Sequence, residues 1–246
     1  AWPRLAPVLA GALLFVVYVA TLAPTVTLWD AGEFIAAIET LGIPHPPGTP
    51  LYVLVARVWS DAFGVLPRAL ATNLFSAAAT AAAAAMLAIL LTRATRRHLA
   101  AFAGAVCAGA TATVWSNATE TEVYAASLAL SLAMLVAAER AGRETHTRWQ
   151  GLVAYLFALA VPLHMSALVA MPGAVVLASL DETGRCRWGS AFLLGGAGIV
   201  AAGAGMVSPW LIGFGLALGV LGALRQRVQV SAFSALAPPP RRVRAR

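Results

Sequence analysis

The sequence predicts an all-α integral membrane protein that crosses the bilayer several times. Of its 246 residues, 60% are hydrophobic and only 11% are charged, whereas a soluble domain carries about a quarter charged residues. The mean hydropathy is +0.80, and several apolar runs approach or exceed the roughly 20 residues that cross a bilayer. These observations exclude an ordinary cytosolic enzyme, a disordered protein and a disulfide-rich secreted domain.

Eight apolar runs predict the membrane helices of a domain over residues 1–224, followed by an Arg- and Pro-rich cytoplasmic tail over 225–246. We expect the first run to be a retained helix, because Pro24 disfavours signal cleavage after Ala23. One bent helix and two spans both remain open for 151–180, which is broken near His164. Gly215 and Gly219 have the GxxxG spacing of closely packed helices. The runs are 5–23, 71–92, 99–115, 123–139, 151–163, 165–180, 189–206 and 207–224.

The distribution of basic residues predicts the orientation. The net charge is +7 and all 17 basic residues are arginines; they lie between apolar runs or in the tail, which argues against a nucleic-acid partner. With the N-terminus in the cytoplasm, every arginine except Arg57 and Arg68 falls on the cytoplasmic side, as the positive-inside rule requires. We therefore expect a multi-pass protein of the bacterial inner membrane with both termini cytoplasmic.

This orientation requires residues 24–70 to form one extracytoplasmic loop. Residues 51–59 are apolar but too short to span, and Arg57 and Asp61 interrupt or flank them, so they predict an amphipathic helix on the outer membrane surface. A second short helix is expected to begin near Asp30. If 51–66 crossed the membrane, the later arginine clusters would face outward.

The outer loop carries the first candidate site residues. Asp30 and Glu33 are three residues apart, which places them on one face of a helix, and a carboxylate there suits a general base that deprotonates an acceptor hydroxyl. The same spacing fits a capping box, with Asp30 as N-cap and Glu33 reaching back to it. His45 begins a His-Pro-Pro-Gly turn and either serves the site or ends a helix.

Three further candidates fall on the same predicted face. Glu120 and Glu122 lie at a membrane boundary and are either substrate-binding or a solvated cap. His164 is an ionisable residue at a break between apolar runs, where a functional and a structural role are both open. No carboxylate cluster has the count or spacing that requires Mg²⁺ or Mn²⁺, so we expect no metal.

Several motifs resemble a known family. They are Trp-Asp-Ala-Gly-Glu-Phe over 29–34, His-Pro-Pro-Gly over 45–48, Asn-Leu-Phe-Ser over 73–76, Trp-Ser at 115–116, Glu-Val-Tyr over 122–124, Leu-His at 163–164 and Pro-Gly at 172–173. Across roughly 15–180 their order is similar to the N-terminal part of a bacterial domain-of-unknown-function family. That family is related to the animal transmembrane protein O-mannosyltransferase and to the GT-C superfamily of membrane glycosyltransferases.

The resemblance implies a GT-C-like helix bundle whose first outer loop carries a catalytic carboxylate. It implies transfer of a sugar from a polyprenyl-phosphate donor to an acceptor hydroxyl, with no cofactor beyond that donor. Asp30 is then the general base with Glu33 as partner or alternative, His45 holds the donor phosphate or orders the loop, and Arg57 contacts the phosphate.

Family members are usually longer than this chain, which leaves a second hypothesis open. A shortened, non-catalytic relative would act as a structural subunit of a larger membrane complex. The expected partners are accordingly the lipid-linked sugar and membrane lipid, with either a protein acceptor or such a complex.

Overall fold

The computed structural model describes residues 2–144 and 147–236, with side chains from 5 to 227 within those ranges. Within them the chain is helical, and the predicted all-α fold is confirmed. Its helices are α1 (Trp2–Ala20), α2 (Ala31–Thr40), α3 (Pro50–Ala62), α4 (Arg68–Thr95), α5 (His98–Gly109), α6 (Ala112–Thr119), α7 (Val123–Glu144), α8 (Thr147–Leu163), α9 (Met171–Ser179), α10 (Trp188–Gly205) and α11 (Pro209–Leu236), with a 3₁₀ segment at Met165–Ala170.

Four helices are long and apolar enough to cross a membrane: α4, α7, α10 and the Pro209–Arg227 part of α11. Shorter apolar helices occupy Leu5–Ala20 and Met165–Ser179. These features support a multi-pass membrane protein. Helix α11 continues beyond 224 to Leu236, so the first part of the predicted tail is helical, and residues 237–246 lie outside the described ones.

The apolar run at 99–115 is not the single straight span that the sequence predicted. Helices α5 and α6 meet at an angle of 68°. At the bend, the Tyr18 hydroxyl donates a 2.8 Å hydrogen bond to the Gly109 carbonyl, which satisfies one of the free carbonyls at the end of α5. A Cβ at Gly109 would lie 2.4 Å from Leu14 Cδ1, so glycine lets α5 and α1 meet closely there.

The stretch 151–180 folds back on itself at His164. The start of α8 and the end of α9 lie at the same end of the bundle: Gln150 contacts Ser190 at 2.9 Å, and Arg187 donates to the carbonyls of Ala178 and Ala141. His164, in extended backbone between the two legs, therefore lies at the opposite end. The 3₁₀ segment rises about 2.0 Å per residue against about 1.5 Å in an α-helix, which lengthens the second leg.

Two short helices, α2 and α3, lie between α1 and α4, as predicted for the outer loop. Helix α3 buries Tyr52, Val53 and Ala56 against the bundle. Its other face exposes the apolar side chains of Leu54 and Val58, which is the pattern of a helix that lies in a membrane interface.

Helices α10 and α11 form a hairpin whose backbones touch. A Cβ at Gly196 would lie 2.5 Å from the Gly215 carbonyl oxygen and the Gly219 nitrogen, and one at Gly222 would lie 2.3 Å from the Leu193 nitrogen. Small residues permit this approach. The close packing predicted from the GxxxG spacing is confirmed at Gly215, whose Cβ would lie 2.8 Å from the Gly196 carbonyl oxygen, but a Cβ at Gly219 would meet its nearest neighbour only at 4.0 Å.

The hairpin contact predicts opposite effects of alanine at two neighbouring glycines. Gly222→Ala is expected to destabilise the protein by about 1–3 kcal/mol, because its Cβ overlaps backbone that cannot move aside. Gly219→Ala, whose Cβ would meet its nearest neighbour at 4.0 Å, is the matched control and is expected to be neutral or stabilising by up to about 1 kcal/mol. Thermal unfolding in one detergent measures both, and equal melting temperatures for the two variants would contradict the contact.

Candidate functional site

The candidate site is formed by the start of α2 and the turn that precedes α3. Phe34 of α2 packs against the Tyr52 ring of α3, with ring centroids 5.3 Å apart. Phe34 also contacts the His45 ring at 5.7 Å. These aromatic contacts hold the His-Pro-Pro-Gly turn beside the first helical turn of α2, where Glu33 lies.

Glu33 and His45 make two hydrogen bonds to each other. The backbone N–H of His45 donates to Glu33 Oε1 at 2.5 Å, and His45 Nδ1 lies 2.8 Å from Glu33 Oε2. The bond from His45 lowers the pKa of the Glu33 carboxyl, and the bond to Glu33 raises the pKa of the His45 imidazole. Both side chains are 45% exposed, so solvent screens the pair and its contacts remain open to a ligand.

The capping box allowed by the sequence does not form. Asp30 precedes α2 with φ −76° and ψ −11°, and its side chain makes no capping hydrogen bond. A capping residue normally has extended backbone from which its side chain reaches the next turn, and Asp30 has helical backbone instead. Glu33 reaches forward to His45 rather than back. The Asp30 carboxylate is therefore not occupied by a cap.

Gly48 closes the turn that returns His45 to α2. Its φ is +86°, a conformation that glycine adopts without strain, and its N–H donates to the His45 carbonyl at 2.9 Å. The bond between Pro46 and Pro47 is cis. The His-Pro-Pro-Gly motif thus determines the backbone of the turn and places one side chain, that of His45, in the site.

Asp30, Glu33 and His45 come together as one exposed cluster. One possible ligand atom from each lies within 4.8 Å of the others. The prediction that the two carboxylates share a side of the helix is confirmed, and the turn adds His45 from twelve positions further along the chain. Two carboxylates and an imidazole are ligand types that divalent transition metals accept.

Glu122 lies behind this cluster and is buried. Its side chain is only 8% exposed, and its Oε2 has no hydrogen-bond partner. Burial raises the pKa of the Glu122 carboxyl to about 7, and the charges of Glu120 and Asp30 act in the same direction. The solvated-cap interpretation is therefore wrong for Glu122. A buried carboxyl that titrates near neutral pH beside other acids is typical of functional sites.

Tyr52 is buried next to Glu122 and was not singled out from the sequence. The side chain is fully buried and its hydroxyl has no hydrogen-bond partner. Burial raises the pKa of Tyr52, and the charge of Glu122 contributes to the increase. The Tyr52 hydroxyl and Glu122 Oε2 are thus two buried polar atoms without hydrogen-bond partners.

A buried hydrogen-bond network connects the segments that carry these acids. Asn73 of α4 donates to the Ala23 carbonyl at 2.9 Å and accepts from the Thr121 hydroxyl at 2.6 Å. Thr121 also contacts the Thr72 hydroxyl at 2.7 Å. An asparagine and a threonine in an alanine-rich helix were the available signal for this network, which sequence reasoning missed.

His164 lies on the same end of the bundle. Its Nδ1 is 2.7 Å from the Ser166 hydroxyl and accepts from the Ser166 N–H, which caps the 3₁₀ segment. Its ring packs edge-on against Tyr124, with centroids 5.3 Å apart. The structural interpretation of His164 is thus supported, at a position where Tyr124 and Ser166 also line a cavity of about 440 Å³.

Arg57 joins α2 to α3 through its hydrogen bonds and does not contact the acidic cluster in them. Its Nε binds Asp61 at 2.8 Å, and its Nη1 donates to the carbonyls of Ile38 and Glu39 at the end of α2. Arg68 binds Asp61 as well, at 2.8 Å, and the two arginines lower the pKa of Asp61. In this structure the Arg57 guanidinium is thus bound to groups outside the cluster.

The fold and this acid–histidine site define a multi-pass helical membrane protein with a polar site at one end of its bundle. Residues 30–187 match the family model of the Protein O-mannosyl-transferase TMEM260 N-terminal domain, and the chain belongs to that family. The matched range contains every site residue predicted from the sequence. No solved structure matches the chain.

The Glu33–His45 pair predicts a pH window for the order of the turn. A raised histidine pKa means that the pair stabilises the fold at low pH and is lost as pH rises through the His45 pKa. A lowered carboxyl pKa means that the pair is also lost as pH falls through the Glu33 pKa. Glu33→Gln is expected to move the His45 titration, followed by NMR of labelled histidine, to lower pH. Glu182→Gln, a distant exposed acid, should leave it in place, and an unmoved His45 titration in Glu33→Gln would contradict the pair.

The burial of Glu122 predicts that the protein loses folding stability as the pH rises. Because its folded pKa is about 7, above the ordinary carboxyl value, ionising it on raising the pH through that range reduces stability. Glu122→Gln is therefore expected to gain melting temperature over the wild type at about pH 8.5 and to gain much less at about pH 5. Equal differences at both pH values would show that Glu122 is not buried as described.

Proposed function

We propose that this protein transfers a sugar from a polyprenyl-phosphate donor to an acceptor hydroxyl, with Asp30 as general base. The observation that carries the proposal is the exposed Asp30–Glu33–His45 cluster at one end of a membrane helix bundle. Its family is named for a protein O-mannosyl-transferase, which supports glycosyl transfer as the reaction class.

The proposed reaction assigns each group one step. The acceptor oxygen attacks the anomeric carbon, the bond from that carbon to the phosphate oxygen breaks, and the acceptor proton passes to an Asp30 carboxylate oxygen. The lipid phosphate leaves with the bonding electron pair. Asp30 suits the base because its side chain makes no capping bond and a general base must reach the proton directly.

Glu33 is proposed as the partner of Asp30 or the alternative base, and His45 is proposed to hold the donor phosphate. With Nδ1 directed at Glu33, the His45 ring keeps Nε2 for a phosphate oxygen, and a carboxylate partner orients an imidazole in this way. Glu120, Glu122 and His164 are proposed to line the surrounding substrate site. Arg57 is proposed to act by holding α2 and α3 together, since its described contacts are made there.

The cavity beside Tyr124 is proposed to take the isoprenoid part of the donor. It lies between α4, α6, α7 and the 3₁₀ segment, and hydroxyls of Thr80, Ser127 and Ser166 are on its lining. Tyr124 contacts His164 and follows Glu122 by two residues, so the cavity lies among the membrane helices at the same end of the bundle as the acidic site.

The site is proposed to face the outside of a bacterial inner membrane, with both termini in the cytoplasm. The support is the separation of charges along the bundle. Arg93 pairs with Glu139, Arg148 pairs with Glu144, and Arg187 binds carbonyls at the end of α7. This arginine-rich end lies opposite the acidic cluster, as the positive-inside rule requires for an outward-facing site.

Asp30→Asn is the test of the proposed base. Sugar transfer from a polyprenyl-phosphate mannose to a hydroxyl acceptor is expected to fall by about 10²–10⁴-fold, the usual contribution of a general base. The melting temperature should remain that of the wild type, because the exposed side chain makes no capping hydrogen bond. Glu182→Gln is the matched control and should retain full transfer.

Two outcomes would redirect the assignment. Full transfer by Asp30→Asn would move the base to another carboxylate. Absence of transfer by the wild type, together with recovery of the chain in a stable complex, would favour the alternative of a structural membrane subunit.

A further inference from the structure

The acidic cluster is negatively charged, and so is the phosphate of the donor that the proposed function requires. Asp30 and Glu33 are within reach of each other, and the buried Glu122 interacts electrostatically with Asp30 and His45. A phosphate-bearing donor brings further negative charge to this place. One imidazole opposes three carboxyls, so binding an anion there needs additional positive charge.

The arginines nearest in the loop do not supply that charge. Arg57 is bound to Asp61 and to carbonyls at the end of α2, and Arg68 is bound to Glu39, Asp61 and Ser60. Releasing either one would break contacts that join α2, α3 and α4. A bound cation is a source of positive charge that leaves these contacts in place.

We propose that Asp30, Glu33 and His45 bind one divalent cation, which presents positive charge to the donor phosphate. Their possible ligand atoms lie within 4.8 Å of one another. Two ligands of one ion at about 2.0–2.2 Å are at most roughly 4.4 Å apart, so a small side-chain rotation brings the three groups onto a shared ion. Two carboxylates with one imidazole suit Mn²⁺ in particular, because carboxylates favour hard cations and imidazole favours transition metals. In this arrangement His45 Nε2 contacts the phosphate through the ion, and one Asp30 oxygen binds the ion while the other remains for the acceptor proton. The exposed side of the cluster leaves coordination positions for phosphate oxygens.

Glu122 is an independent sign of a ligand at this place. It is more than nine-tenths buried, its Oε2 has no hydrogen-bond partner, and Asp30 and His45 are among the charges that act on it. The Glu122 carboxyl accepts a backbone hydrogen bond from Val123, but a buried carboxylate with one oxygen unpaired is still costly unless a positive charge compensates it. A cation in the cluster provides that compensation from the exposed side. This inference departs from the sequence-based expectation of no metal, which treated Asp30 and Glu33 without His45.

Manganese binding tests the site without any sugar substrate. The full chain, purified in lipid nanodiscs and freed of metal with a chelator, is titrated with Mn²⁺ while electron paramagnetic resonance counts the free ion. One Mn²⁺ per chain is expected. Asp30→Asn and Glu33→Gln are each expected to weaken binding by about tenfold or more. Glu182→Gln is expected to bind as the wild type does.

The outcomes separate this inference from the proposed function on which its phosphate ligand rests. Absence of Mn²⁺ binding, or equal affinity in Asp30→Asn and Glu33→Gln at wild-type melting temperatures, overturns the metal site. Sugar transfer that persists in chelator with no Mn²⁺ bound overturns it too and leaves the proposed function standing. Site-dependent Mn²⁺ binding without sugar transfer supports the metal site and counts against the transferase.

Discussion

A buried asparagine holds together the three segments on which the candidate site depends. Asn73 lies in α4, and its amide donates to carbonyls of the chain that leaves α1, while its oxygen accepts from Thr121 before α7. The first connection leads directly to Asp30 and the second to Glu122. Backbone groups that leave a membrane helix need partners, because hydrocarbon provides none. Satisfying them through one side chain places an exposed and a buried carboxyl beside each other.

The acids at this end of the bundle divide into a structural and a chemical group. Glu39 and Asp61 pair with Arg57 and Arg68, and this network joins α2, α3 and α4. Asp30 and Glu33 of the same loop, with Glu122 before α7, share one histidine, which pairs with Glu33. The acids of the first group stabilise the loop, and those of the second group mark the site.

More of the fold than of the candidate site could be predicted from the sequence. Apolar run length depends on bulk partition into lipid, which is a property of segments, so the helices and the long loop between α1 and α4 were predictable. The bend between α5 and α6 was not, because it depends on Tyr18 reaching Gly109 from another helix. Likewise, the spacing of Asp30 and Glu33 fitted a capping box until the turn at Gly48 brought His45 to Glu33. Burial of Glu122 and the commitment of Arg57 also arise from tertiary contacts that no local pattern contains.

The hairpin of α10 and α11 follows the candidate site residues in the sequence, and this affects how relatives are compared. The family match ends at Arg187, and α10 begins at the next residue. Helix α11 packs mainly against α10, backbone to backbone, whereas the site residues all precede the hairpin. The candidate site and the hairpin are therefore encoded by separate stretches of sequence. A relative that differs from this chain only after residue 187 keeps every residue of the candidate site.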